Sequence, residues 1–156
     1  MAAPIIRLTV PPAIERAFKR QAKKAFPKET LAFLLGTQAG DTIHVDGLFT
    51  PEDMAEHCTT EAIYIQPDWL MDALDEAEEQ ECVVTGWVHS HPYQATSGTF
   101  LRDHSQSETD ILDAGQMLGL PISGICVVQE IGQSKKKRLR ASMRFWGPSI
   151  AVDLKS

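Results

Sequence analysis

The chain has 156 residues, 43% of them hydrophobic and 23% charged, with a net charge of −6, which is typical of one soluble domain with a single core. The negative charge argues against a binder of nucleic acid or of anionic membranes, since either partner would be repelled. Because no apolar run could cross a bilayer and no secretory signal is apparent at the first residues, we expect a cytoplasmic protein.

The first half of the chain predicts a strand, a helix and a β-hairpin. Residues 5–10 form a short strand that ends at two prolines. Four apolar residues at fourfold spacing among basic ones then predict an amphipathic helix: Ile14, Phe18, Ala22 and Phe26. Pro27 ends this helix. The apolar run 30–37 predicts a buried central strand, which pairs with residues 42–49 after a turn.

The second half begins with a polar loop at 51–60 and then an acidic helix. Pro67 and Asp68 supply the start of this helix, which runs to about Gln80. Its inner side is predicted from the apolar residues: Trp69, Leu70, Ala73, Leu74 and Ala77. Residues 82–91 predict another strand, which Pro92 ends.

A third helix is predicted from Ser107 onward, and it stops at Gly119 to Pro121. Two final strands are predicted at 122–131 and 139–146, joined through a basic turn at 135–138. The simpler interpretation of this turn is a solvated hairpin turn, and the alternative is a binding patch for an acidic partner. Helices and a mixed sheet in this order indicate an α+β (mixed α/β) fold in one domain.

The cysteines do not indicate a disulfide framework or a thiolate zinc site. The three cysteines are odd in number, widely spaced and form no CxxC pair: Cys58, Cys82 and Cys126. We therefore expect them to be reduced, with Cys82 and Cys126 packed as small buried hydrophobes.

His89 and His91 are the first candidates for a functional site. Residues two apart on a strand project from the same face, so both imidazoles would point one way while Ser90 points the other. Such a pair is a bidentate chelate for a metal. The alternative is that these are two histidines at a strand end whose ring nitrogens are satisfied by hydrogen bonds.

Asp110 and Glu29 are candidates to complete a metal site. A catalytic zinc takes three nitrogen or oxygen ligands and keeps a fourth position for water, and Asp110 could be the third ligand. Ser107 and Asp110 could instead form a capping pair at the helix start. Glu29, directly before the buried strand, is the candidate proton acceptor. It could also be a solvated residue in a Pro-Lys-Glu turn.

These residues together resemble the JAMM motif of the MPN domain, a family of zinc metalloproteases that includes deubiquitinases. The matching parts are Glu29 before AFLLG, then GWVHSHP, then Ser107-x-x-Asp110, over nearly the whole chain. The resemblance implies a zinc ion on His89, His91 and Asp110, Glu29 as general base and then acid, and Ser107 as oxyanion donor. It also implies the MPN (cytidine-deaminase-like) fold, a curved mixed sheet flanked by helices, over residues 1–156.

The stretch 93–106, between the HSHP and SxxD segments, is longer than the family usually has. It contains its own Asp103, His104 and Ser105, and His104 could coordinate or gate the metal in place of Asp110. We expect an insertion that acts as a flap, with residues 96–100 adding a strand to an extended peptide.

The resemblance implies cleavage after the C-terminus of a ubiquitin-like protein, in a conjugate or a precursor. Small single-domain relatives are encoded in bacterial operons beside ubiquitin-like activating and conjugating enzymes, including antiviral systems, and this chain resembles them in length. Those enzymes are further expected partners, whereas nucleic acid and membrane are not. The alternatives are a peptidase that trims a sulfur-carrier protein and a metal-free MPN scaffold.

Overall fold

The computed structural model describes residues 7–93, 119–131 and 138–146, and within them one mixed sheet carries the fold. Its strands are β1 Arg7–Thr9, β2 Leu31–Ala39, β3 Thr42–Phe49, β4 Val83–Tyr93, β5 Ile122–Ile131 and β6 Arg138–Trp146. Two helices, α1 Pro12–Ala25 and α2 Pro67–Glu79, accompany a short 3-10 helix, Met54–His57. The strand order is β1-β3-β2-β4-β5-β6, with β4 parallel to β5 and antiparallel to β2. This architecture confirms the predicted α+β class.

Helix α1 covers one face of the sheet, as its periodicity predicted. Pro12 begins the helix, where a fixed φ and a missing N–H cost nothing. Phe18 and Ala22 are buried, and Ile14 and Phe26 are partly buried beside them. The cluster that they join contains residues from all six strands, among them Ile43, Leu34, Val88 and Cys126. The predicted apolar face is therefore the one that forms this half of the core.

Helix α2 covers the opposite face, but with a narrower apolar stripe than predicted. Trp69, Ala73 and Ala77 are buried against a cluster that includes Leu31, Phe33 and Trp87. Leu74 was predicted on the inner side, yet 49% of it is exposed. Its position lies roughly 100° around the helix from the centre of the buried stripe, so it faces away from the sheet.

Pro92 does not end β4, which continues to Tyr93. The Ser90 N–H points toward β2, where it donates to the Thr30 carbonyl. The nitrogen of Pro92, two residues later, points to the same side of β4. At that position the neighbouring chain lies before the start of β2. No ladder hydrogen bond is lost there, which is the situation in which a strand tolerates proline.

Other boundaries differ by small amounts. The predicted polar loop 51–60 contains the 3-10 helix, and β6 starts at Arg138. Residues 5–6, the predicted helix from Ser107, most of the stretch 93–106 and the basic residues 135–137 lie outside the described residues. The single domain over 1–156 and its insertion therefore stay predictions.

All three cysteines are free thiols. Cys126 is buried, and burial raises its pKa to about 12, which confirms it as an inert core residue. Cys82 is half-buried and packs against the α2 cluster. In the described part of the chain, no helix combines the length and the apolar character that crossing a membrane requires.

Gly36 is a point where β2 and β3 approach too closely for a side chain. A Cβ at this position would overlap the backbone carbonyl of His44. We expect Gly36→Ala to lower the free energy of unfolding by about 1–3 kcal/mol, because backbone atoms must move. Urea titration followed by circular dichroism would measure it. Gly47→Ala is the control, since its Cβ would meet no atom within 4 Å; equal losses for both variants would contradict the explanation.

Candidate metal centre

Pairing between β2 and β4 brings Glu29 to the two histidines. Leu31 lies opposite His89 in this antiparallel pair. The Ser90 N–H donates to the Thr30 carbonyl at 2.9 Å, so the pairing continues one residue further. Extended by one more residue, this register would place Glu29, which precedes β2, across from His91. Because residues two apart share a face of a strand, His89 and His91 lie on one face of the sheet, and an extended backbone at Glu29 would give its side chain the same face.

The two imidazoles converge on each other. Their Nε2 atoms are 2.8 Å apart, and their ring planes are tilted by 56°. Neutral imidazoles at this distance share one hydrogen bond. Two nitrogens on a tetrahedral zinc with Zn–N of about 2.0–2.1 Å are about 3.3 Å apart, so a shift of roughly half an ångström makes this pair a chelate. The donor atoms therefore fit two positions of a zinc site.

Burial keeps His89 neutral, and packing fixes its ring. Only 4% of His89 is exposed. Burial, and then the neighbouring charge of His91, lowers the pKa of His89 to about 3 from an ordinary 6.5. The Trp87 indole stacks on the imidazole at 4.5 Å and 6°, and Trp87 Nε1 donates to the Ser123 hydroxyl at 3.0 Å. A neutral imidazole in a fixed plane is the form that binds metal.

The Nδ1 atom of His89 is buried and has no hydrogen-bond partner among the described residues. Metal-binding histidines usually have their second ring nitrogen satisfied. An orphaned polar atom in the interior costs free energy. The described residues therefore leave this ring nitrogen without the hydrogen bond that either a metal-binding or a packed histidine normally has.

Glu29 is half-buried at the mouth of β2, rather than in a fully solvated turn. Its backbone N–H donates to the Thr59 carbonyl at 2.8 Å. Burial raises the pKa of the Cys58 thiol to about 11, and the negative charge of Glu29 is the second cause of this rise. The carboxylate is therefore near Cys58, which belongs to the cluster under α2.

Ser107, Asp110 and the alternative ligand His104 lie outside the described residues. The third ligand and the oxyanion donor stay predictions. Of the five predicted site residues, the described strands bring His89 and His91 together, and Glu29 directly precedes Thr30, which is hydrogen-bonded to Ser90.

A second group of possible ligands was missed by the sequence reasoning, which expected an irregular loop. Asp53, Glu56 and His57 have ligand atoms within 4.8 Å of one another. Asp53 Oδ2 lies 3.2 Å from His57 Nε2, and Trp69 Nε1 donates to Asp53 Oδ1 at 2.8 Å. The D-x-x-E-H spacing was the available signal. These contacts attach the 3-10 helix to α2, which is a sufficient structural role.

The lowered pKa of His89 predicts a pH dependence of stability for the protein kept free of metal by a chelator. Between about pH 6.5 and 3 the unfolded chain binds a proton that the folded chain does not, so stability falls as pH decreases. The slope from this one group is at most about 1.4 kcal/mol per pH unit. Urea unfolding between about pH 7 and pH 5 would measure it.

The His89→Gln variant should show a shallower slope over the same range than the wild type. His44→Gln is the control, because His44 is exposed on β3. An unchanged slope in His89→Gln would show that this histidine is not held neutral by burial.

Comparisons with known proteins agree with this architecture. The family model described as prokaryotic homologs of the JAB domain matches residues 11–145. The comparison with curated proteins found no match. A solution structure of a protein from Desulfitobacterium hafniense is similar, with a TM-score of 0.51 and 19% identity over 88% of this chain and 82% of that one.

At this identity, the structural likeness supports the fold alone. The family match, by contrast, spans both helices, every strand from β2 to β5 and both histidines, and it ends one residue before the end of β6. The chain therefore belongs to the prokaryotic homologs of the JAB domain, within the JAMM/MPN domain family.

Proposed function

We propose that this protein is a zinc-dependent peptidase that cleaves after the C-terminus of a ubiquitin-like protein. The observation that carries the proposal is the meeting of the His89 and His91 Nε2 atoms at 2.8 Å, beside the segment that bears Glu29, where Thr30 is hydrogen-bonded to Ser90. In a chain of the JAB family, this arrangement supports a metallopeptidase.

His89 and His91 would hold the zinc through Nε2, with Asp110 as the third ligand. When bound, zinc acts as a Lewis acid, which lowers the pKa of water toward about 7 and polarises a carbonyl group. Burial of His89 serves this role, because a protonated imidazole cannot bind a cation.

Glu29 would handle the protons. Its carboxylate accepts a proton from the attacking water and later delivers it to the leaving amine. The Ser107 hydroxyl would donate a hydrogen bond to the oxygen that becomes negative during attack, an interaction typically worth about 3 kcal/mol. Peptide or isopeptide hydrolysis is the result.

The same site would serve two kinds of substrate. One is a ubiquitin-like protein joined to a lysine, which this enzyme would release as the antagonist of activating and conjugating enzymes, for example in a bacterial antiviral system. The other is a sulfur-carrier precursor with a short C-terminal extension. Parallel assays on an isopeptide-linked conjugate and on a linear C-terminal fusion would separate them.

Glu29→Gln should lower kcat by about 10²–10⁴-fold, since the amide cannot accept the proton. Turnover of a ubiquitin-like fusion would be followed by gel electrophoresis, with zinc content measured in parallel and expected to be unchanged. Glu61→Gln, an exposed change in the loop before α2, is the control. Wild-type turnover by Glu29→Gln would reject the proposed mechanism.

His91→Ala should lose zinc, because one of the two convergent nitrogens is removed. Mass spectrometry of the native protein and elemental analysis would give the metal stoichiometry, expected near one per chain in the wild type. His44→Ala, at the exposed histidine of β3, should retain the metal. A wild-type protein that binds no zinc would favour a scaffold without catalytic activity.

A further inference from the structure

We propose that Ser90, the residue between the two histidines, is a positioning residue for Glu29. Its hydroxyl accepts the Thr30 N–H at 2.9 Å, which ties the strand bearing the histidines to the residue that follows the general base. The inference rests on the proposed function of Glu29, and goes beyond it by assigning a role to a side chain on the opposite face of β4.

The bond from the Thr30 N–H to the Ser90 hydroxyl replaces one of the usual backbone hydrogen bonds of the sheet. In a hydrogen-bonded antiparallel pair, two opposed residues exchange both of their backbone N–H···O=C bonds. Ser90 donates its N–H to the Thr30 carbonyl at 2.9 Å, as such a pair requires. The Thr30 N–H, however, goes to the Ser90 hydroxyl. Ser90 is 1% exposed and Thr30 4%, so this bond is shielded from water.

Helix α1 holds the side chain of Thr30 as well. Gln21 Nε2 donates to the Thr30 hydroxyl at 3.0 Å and to the Leu31 carbonyl at 3.1 Å. The Gln21 amide is in turn oriented by Thr50, whose hydroxyl donates to Oε1 at 2.8 Å. Thr30 is therefore fixed from the strand side and from the helix side.

Glu29 itself is fixed through its backbone from a third element. Its N–H donates to the Thr59 carbonyl at 2.8 Å, and Thr59 belongs to a small turn closed by a bridge between Cys58 and Ile63. The consecutive amides of Glu29 and Thr30 thus bind two different parts of the fold.

Such placement matters for a general base. A base acts only within hydrogen-bond reach of the proton that it accepts, and a displacement of about 1 Å can cost roughly 10²-fold in rate. The Ser90 side chain points away from the face of the histidines. Its removal should therefore disturb the proton-handling step and leave the metal ligands in place.

The kinetic test compares Ser90→Ala with Ser90→Thr. Ser90→Ala should lower kcat by about 10–100-fold with KM and zinc content unchanged, and Ser90→Thr, which keeps the hydroxyl, should restore most of the turnover. Thr85→Val is the matched control. It deletes another buried hydroxyl bond between the same two strands, from Thr85 to the Leu34 carbonyl at 3.1 Å, and should leave kcat unchanged.

A second readout does not depend on activity. Amide hydrogen exchange of the zinc-free protein, followed by NMR, should show the Glu29 and Thr30 amides protected in the wild type. Both should exchange faster in Ser90→Ala, whereas Thr85→Val should leave them protected. Unchanged protection in Ser90→Ala would overturn the inference, as would an equal loss of kcat in Thr85→Val.

The two proposals fail differently. If Glu29→Gln turns over normally, the proposed function is wrong, and the positioning role is overturned with it. If Glu29→Gln is inactive while Ser90→Ala keeps wild-type turnover, the positioning role alone is wrong. Loss of turnover in both variants, with zinc retained and rescue by Ser90→Thr, would support both.

Discussion

The antiparallel register of β2 against β4 is the constraint on which the candidate site depends. Leu31 lies opposite His89. The same register, extended to Glu29, would put it opposite His91, and a slip of one residue would turn the glutamate to the other face of the sheet. The register is well determined because both strands are buried on both faces. Leu34 and Val88 pack under α1, whereas Phe33 and Trp87 pack under α2. The packing of the core thus determines which residues can meet at the site, since a slip would take Phe33 and Trp87 out of the spaces that they fill under α2.

Burial gives the site its chemical character at a cost in stability. An imidazole in the interior loses its hydration, so the neutral form of His89 is favoured and its nitrogen lone pair is available for a cation. The same burial leaves Nδ1 without a partner among the described residues, which is unfavourable for folding. The proposed role of His89 as a zinc ligand would use this neutral imidazole through Nε2. The stacked Trp87 then limits ring rotation.

The side chains on the two faces of β4 have different surroundings and different proposed roles. Trp87, His89 and His91 lie on the α2 side, where the proposed metal would bind, while Val88 and Ser90 lie on the α1 side. On that second face, Ser90, Thr30 and Gln21 form a hydrogen-bonded connection from strand to strand to helix. In the proposed arrangement the α1 side would supply rigidity and the α2 side would supply the metal ligands. The alternation of side chains along a strand lets one short segment, HSH, do both.

The sequence by itself determined the elements and the family. The fourfold spacing from Ile14 to Phe26 and the apolar run after Glu29 are local patterns, and local patterns report which side of an element is apolar. They also gave the residue types of the JAMM motif, of which Ser107 and Asp110 stay predictions. The sequence could not place Leu74 outside the core or carry β4 through Pro92, because both depend on what lies beside the element. Only the tertiary structure decided that Ser90 binds the Thr30 N–H and that Leu31 lies opposite His89, since strand register joins residues far apart in the chain and is fixed only when the whole core packs.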